Sequence, residues 1–183
     1  MAANAQALGF PPRRLPLRWE APLLGAPTLS LREAEPSDIP YLRQLYASSR
    51  SPELALMPWP DAAKQAFCDS QFDLQHRHYV THFTTADFLI VLHAGVPAGR
   101  LYLHEADEEL CIVDILLDEA MRGQGHGSAL LRRMQQEVQE KMLRALKLQV
   151  LITNQAARRL YERLGFVLES DESAMHLPMR WRP

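Results

Sequence analysis

Apolar positions along this 183-residue chain switch between two periods. Alternation, which sets every second side chain on one sheet face, runs through Thr28 to Arg32. Apolar runs bounded by turn residues follow at Phe88 to Leu92, Gly99 to His104, Leu110 to Leu117 and Leu146 to Ile152. Helical spacing marks Ile39, Leu42, Leu45 and Tyr46 behind a Pro36-Ser37-Asp38 start signal, and Phe67, Phe72, Gln75, Tyr79 and Phe83 behind Asp61. It returns at Leu130, Met134, Val138 and Met142, in an amphipathic segment read as Ser128 to Met142. Pro52, Pro58 and Pro60 are expected to break the chain between the first two helices. Asn154 caps a further helix that Gly165 closes, and Phe166 to Glu169 pairs with Ala174 to Trp181 through Asp171-Glu172. The order β-α-α-β-β-β-α-β-α-β-β predicts an α/β (α+β) fold around a mixed sheet.

Residues 1–28 carry Pro11, Pro12, Pro16, Pro22 and Pro27, so they are expected to form an extension without regular structure, leaving residues 29–183 as the domain. Phe10, Trp19, Leu23 and Leu24 give that extension the means to dock on the domain or on a second subunit.

Composition narrows the class. Apolar residues make up 47% of the chain, which excludes wholesale disorder, and 20 basic against 22 acidic residues, a net charge of −2, argues against a general nucleic-acid binder. Cys68 and Cys111 lack any zinc spacing and read as reduced core thiols. His76, His78 and His82 do not share a helix face, so no metal is expected. No apolar run approaches the ~18 residues of a membrane span. Arg18 and Glu20 interrupt any export signal after Arg13-Arg14, and the expectation is a cytoplasmic protein with no membrane partner.

The most informative stretch is Arg122-Gly123-Gln124-Gly125-His126-Gly127, which follows an apolar strand and opens a helix. Glycines let a backbone pass close to a ligand, and the first N–H groups of a helix lack internal partners and carry the positive end of its dipole, so an anion is favoured there. A P-loop needs a lysine directly after the last glycine, where this chain has Ser128 and Ala129. A dinucleotide fingerprint needs G-x-G-x-x-G and an acidic residue ending the next strand, which here runs into Thr153 and Asn154.

The segment resembles the Arg/Gln-x-x-Gly-x-Gly/Ala signature of the GNAT acyltransferase superfamily. Downstream, Asn154-Gln155-Ala156-Ala157-Arg158-Arg159-Leu160-Tyr161-Glu162-Arg163-Leu164-Gly165-Phe166 is similar to that family's Asn-x-x-Ala-x-x-x-Tyr-x-x-x-Gly-Phe element. The resemblance implies the GNAT acyl-CoA N-acyltransferase fold, with fourth and fifth strands that splay around a pantetheine arm. It implies acetyl-CoA as cosubstrate and no metal. Backbone amides of Ile115, Leu116 and Leu117 would meet the pantetheine, and those of Gln124, Gly125, His126, Gly127 and Ser128 the pyrophosphate, with Arg122 and Gly123 beside it and Asn154 near the pantetheine. Tyr161 would donate its hydroxyl proton to the coenzyme sulfur. The acceptor would be the primary amine of a small molecule or an exposed amino group, attacking directly in a ternary complex, and a homodimer is common in such a family. A non-catalytic acyl-CoA-binding or sensing module is the rival reading.

A general base must come from the residues themselves. Asp114 is the ionisable group inside the apolar run Cys111 to Leu117, where burial favours basicity; pairing with Arg100 or a neighbouring strand residue as a structural acceptor is the equal alternative. Glu105 and His104 follow as second choices. Gln71, Gln75 and Tyr79, spaced at i, i+4 and i+8, are expected to line an acceptor cleft.

Overall fold

The computed structural model describes residues 9–11, 23, 26–169 and 175–183. Its elements are β1 (Leu29–Glu33), α1 (Ile39–Ala55), α2 (Asp61–His82), β2 (Asp87–His93), β3 (Val96–Ala106), β4 (Glu109–Leu117), α3 (His126–Glu140), β5 (Ala145–Leu151), α4 (Gln155–Arg163), β6 (Val167–Leu168) and β7 (His176–Trp181), in the expected order. One seven-stranded sheet runs β1-β2-β3-β4-β5-β7-β6, antiparallel at every junction except β4–β5.

That parallel junction positions the site. β4 and β5 pair only from Glu109↔Ala145 to Ile112↔Leu148, while β4 stays paired to β3 as far as Gly99↔Leu117. The two strands therefore part after Ile112. A register shift accompanies the parting: Tyr102 faces Asp114 and Leu103 faces Ile112, so Val113 is an extra residue in β4, a bulge that re-aims the strand. At the closed end Glu109 is held by Lys147 of β5 and Arg180 of β7. β3 also needs Gly99, because a Cβ there would stand 2.5 Å from the Leu116 carbonyl oxygen.

Each sheet face carries its own core. Leu101, Leu103, Leu110 and Ile112 pack with Leu130, Leu131, Met134 and Val138 of α3 and with Tyr161 of α4. Ile90, Tyr102 and Phe88 pack on the other face with Leu42 and Leu45 of α1 and Phe72 of α2. Phe10 rests against Phe88 and His76 at ring separations of 5.4 and 5.0 Å, and Leu23 is buried in the first core. Trp19, Leu24 and the Asp171-Glu172 turn lie outside the described residues.

Four details differ from the sequence reading. Pro52 lies inside α1, one turn from its end, so the break falls at Leu56 rather than at the proline. α3 starts at His126, in the glycine segment itself, and stops at Glu140. Met142 is 89% exposed with a φ of +54°, and Leu143 takes the buried position expected of it. On α2 the fully buried residues are Cys68, Phe72 and His76, so the helix turns its core-facing stripe one position past Phe67, Gln75 and Tyr79. Among the described residues no helix is long and apolar enough to cross a membrane.

Candidate active site

The glycine segment forms an open turn. Gly123 and Gly125 adopt φ of +73° and +84°, and Gly125 caps α3. A Cβ built on either would meet nothing within 4 Å, so ligand atoms have room where side chains are missing. Gly127 serves a different end: a Cβ there would stand 3.4 Å from Leu160, so the glycine sets the approach of α3 to α4. The first backbone bond of the helix runs from Ala129 N–H to Gly125 O, 3.0 Å, leaving the preceding N–H groups of His126, Gly127 and Ser128 as the donors a helix start presents without an internal acceptor. Arg122 is exposed at the rim and donates its Nε–H to the Leu117 carbonyl, 3.2 Å, tying the turn to the end of β4. His126 is half-buried, its ring 5.3 Å from that of His93.

Ile115, Leu116 and Leu117 lie in the part of β4 that pairs with β3 alone, so their β5-facing backbone edge has no strand partner. Ile115 and Leu117 pack toward α3 and α4, Leu116 toward α1 and α2. Asp114 opens this stretch. Its Oδ2 stands 2.6 Å from Nε of Arg100, whose side chain is 3% exposed against 18% for the carboxylate. Nη2 of Arg100 donates to Oε1 of Gln75, 2.8 Å. The ion-pair alternative for Asp114 is thus realised in the structure, and Gln75 joins it from α2. Burial opposes charge on Arg100, but Asp114 beside it more than offsets that and holds the guanidinium protonated.

Tyr79 stands edge-on to Tyr102 at 5.7 Å, and burial and the charge of Asp114 push its phenol up. Gln71 is half-buried one turn before Gln75. On the opposite side of the gap Tyr161 is 7% exposed; burial first, and Asp114 second, push its phenol up to about 12. The carboxylate therefore acts on tyrosines from both layers. Tyr161 is fixed by the end of its own helix. Phe166 N–H bonds to the Tyr161 carbonyl and Gly165 N–H to that of Glu162, both 3.0 Å, with Gly165 at φ +84° and the Tyr161 and Phe166 rings 5.8 Å apart. Asn154 caps α4, its side-chain oxygen accepting from Ala157 N–H at 3.1 Å.

Other sequence candidates fall elsewhere. Glu105 pairs with Lys141, and His104 packs on Phe83 at 5.4 Å; both sit on β3 opposite Leu110 and Cys111, at the closed end of the β4–β5 junction. His78 and His82 stack on each other while His76 is buried against Phe72, and no metal-holding cluster occurs among the described residues. Cys68 and Cys111 are free, and burial raises both thiols. Sequence reasoning missed Tyr41 and Asp118: the Tyr41 hydroxyl, on the first turn of α1, donates to Oδ2 of Asp118 just past β4, 3.0 Å. No local signal marks that pair, since it forms across the fold.

Residues 39–166 match the family described as "Acetyltransferase (GNAT) family". An uncharacterized N-acetyltransferase, YycN, of Bacillus subtilis (strain 168) is 38% identical over 72 residues, a match spanning 37% of this chain and 46% of that protein. Among solved structures, the PaiA N-acetyltransferase of Thermoplasma acidophilum in complex with coenzyme A superposes with a TM-score of 0.65 at 14% identity, covering 85% of this chain and 99% of that one. The RimL ribosomal L7/L12 alpha-N-protein acetyltransferase in complex with coenzyme A gives 0.62 at 21% identity, covering 86% and 95%.

Proposed function

This chain belongs to the acetyltransferase (GNAT) family, a family of acyltransferases, and on that premise we propose that it moves an acetyl group from acetyl-CoA to the primary amine of a small molecule or an exposed amino group, by direct attack in a ternary complex. The observation that carries the proposal is the unobstructed turn at Gly123 and Gly125, opening α3 beside the stretch of β4 that has left β5. In this reading the N–H groups of Gln124 to Ser128 receive the pyrophosphate and Arg122 adds charge at its edge. The bare backbone edge of Ile115 to Leu117 pairs with the pantetheine, Asn154 approaches it from the start of α4, and one β4 amide polarises the thioester carbonyl. Such a donor is worth on the order of 3 kcal/mol in other enzymes.

The amine nitrogen attacks the acetyl carbon, the C–S bond breaks, and the amine loses a proton. Asp114 receives that proton, directly or through water, as the more accessible member of its ion pair, 18% exposed against 3% for Arg100. Tyr161 faces the leaving sulfur. Burial and Asp114 push its phenol up to about 12, so Tyr161 keeps its proton and donates a hydrogen bond that spreads the thiolate charge. Gln71, Gln75 and Tyr79 line the acceptor side from α2.

Free-thiol release from acetyl-CoA with a panel of amines tests the proposal. Amine-dependent release is expected, with Tyr161→Phe lowering kcat and leaving the Kd for CoA unchanged. Tight CoA binding with no release on any amine replaces the enzyme by the sensing module.

A further inference from the structure

The acceptor's chemistry can be read from charge pairing around the gap, resting on the acyl-transfer reading above. Of the chain's five tyrosines, Tyr161 lies on the α4 side. The other four, Tyr41, Tyr46, Tyr79 and Tyr102, all lie within electrostatic reach of Arg100 on the α1–α2 side. Tyr41, Tyr46 and Tyr79 are half-buried and Tyr102 fully buried; Tyr41 adjoins Asp118 and Tyr79 lies near Asp114, while Tyr46 packs on Phe72 nearer Arg50 and Glu53.

The ionised groups acting on these tyrosines pair off with one remainder. Arg100 is tied to Asp114 at 2.6 Å, Arg50 to Glu53 at 2.8 Å, and Asp38 to Arg32 at 2.6 Å. Asp118 is held by a neutral donor, the Tyr41 hydroxyl, and among the described residues it has no cation. It directly follows β4, its N–H bonded to the Ala98 carbonyl at 3.0 Å, which sets it at the open end of the gap. Arg100 is buried and already engaged through Nε and Nη2.

We propose that the acceptor is an amine carrying no carboxylate beside its amino group, and that Asp118, positioned by Tyr41, binds its ammonium form before transfer; the ammonium gives one proton to water to become the neutral nucleophile, and its second proton passes to Asp114 on attack. A substrate carboxylate beside that amino group would meet Asp118, which has no cation among the described residues, while Arg122 at the neighbouring rim is taken in this reading by the pyrophosphate; the like-charge contact works as rejection. An ammonium meets the opposite situation: a carboxylate without a cation among the described residues, beside the Tyr41 ring, and aromatic rings attract cations through their quadrupoles.

Three acceptors of one shape separate the alternatives in the thiol-release assay: phenethylamine, phenylalaninamide and phenylalanine. The wild-type protein is expected to favour the first two over phenylalanine by about tenfold or more in kcat/KM. Asp118→Asn should raise KM for phenethylamine about tenfold, narrow the preference and leave the Kd for CoA unchanged, while Asp118→Glu retains part of the preference. Phenylalanine turned over as well as the other two overturns the assignment, and so does D118N with wild-type KM. Release from no amine at all, with CoA still bound, removes the acyl-transfer reading and the acceptor class with it.

Discussion

The side of the gap proposed to hold the coenzyme is made of backbone, the turn from Arg122 to Ser128 and the free edge of Val113 to Leu117, whereas the proposed acceptor side is made of side chains from α1, α2, β3 and β4. The turn is contiguous in sequence and asks for little beyond glycines and a helix start. The acceptor side is assembled at long range: Tyr41 reaches Asp118 across 77 positions and Gln75 reaches Arg100 across 25. A main-chain site tolerates change in its side chains but not in its dihedral angles. A site of paired charges has the opposite sensitivity, because losing one partner strands the other in a poorly solvated place.

The largest effect should come from the charged side. Arg100→Met leaves Asp114 without its cation among buried tyrosines and is expected to lower unfolding stability by about 3–5 kcal/mol in urea titrations, with Asp114→Asn in the same chain recovering part of the loss. A loss under about 1 kcal/mol would show that the pair is not structural.

Alkaline pH probes the tyrosines that border both sides. Tyr161 ionises near 12 in the fold and near 10 when unfolded, so below pH 10 both states keep the proton and stability is unaffected. Between pH 10 and 12 only the unfolded chain loses it, and stability falls by about 1.4 kcal/mol per pH unit on its account. Burial raises Tyr41, Tyr79 and Tyr102 in the same direction, which steepens the fall. Thermal melts from pH 9 to 12 should show the decline, shallower in Tyr161→Phe; superimposable curves would remove the buried-phenol account.

The backbone side predicts smaller, sharper changes. Gly125→Ala forces a Cβ into φ +84°, at about 1–2 kcal/mol, and should weaken CoA binding about tenfold in calorimetry, more than Arg122→Ala does. The reverse ranking would make the site a side-chain one after all. Smallest is Asn154→Ala, expected to cost about 1 kcal/mol through the lost cap of α4. A CoA affinity that stays unchanged would leave Asn154 a cap and nothing more.

Some differences between the periodic pattern and the fold have plain causes. The four-residue recurrence ends at Met142, yet the chain turns at Lys141 and Met142 adopts positive φ, so Leu143 fills the core from the loop. Pro52 sits within α1 because its fixed φ is compatible with a helix, and the expected break waits for Leu56. His76, read as one of three scattered histidines, is instead a core residue stacked on Phe72 at 5.5 Å. Gln75 and Tyr79, one turn apart, meet Arg100 and Tyr102, and only the register of β3 supplied what they face.

Sequence by itself determined the element order, the turn that opens α3 and the Gly165 ending of α4, because each depends on dihedral preferences and spacing inside a short window. Tertiary structure decided that β4 leaves β5 after Ile112, that Val113 bulges and brings Asp114 opposite Tyr102, and that Asp118 meets Tyr41 rather than a cation. Those outcomes are contests between strands and helices far apart along the chain, settled by which groups can be buried together with their charges matched.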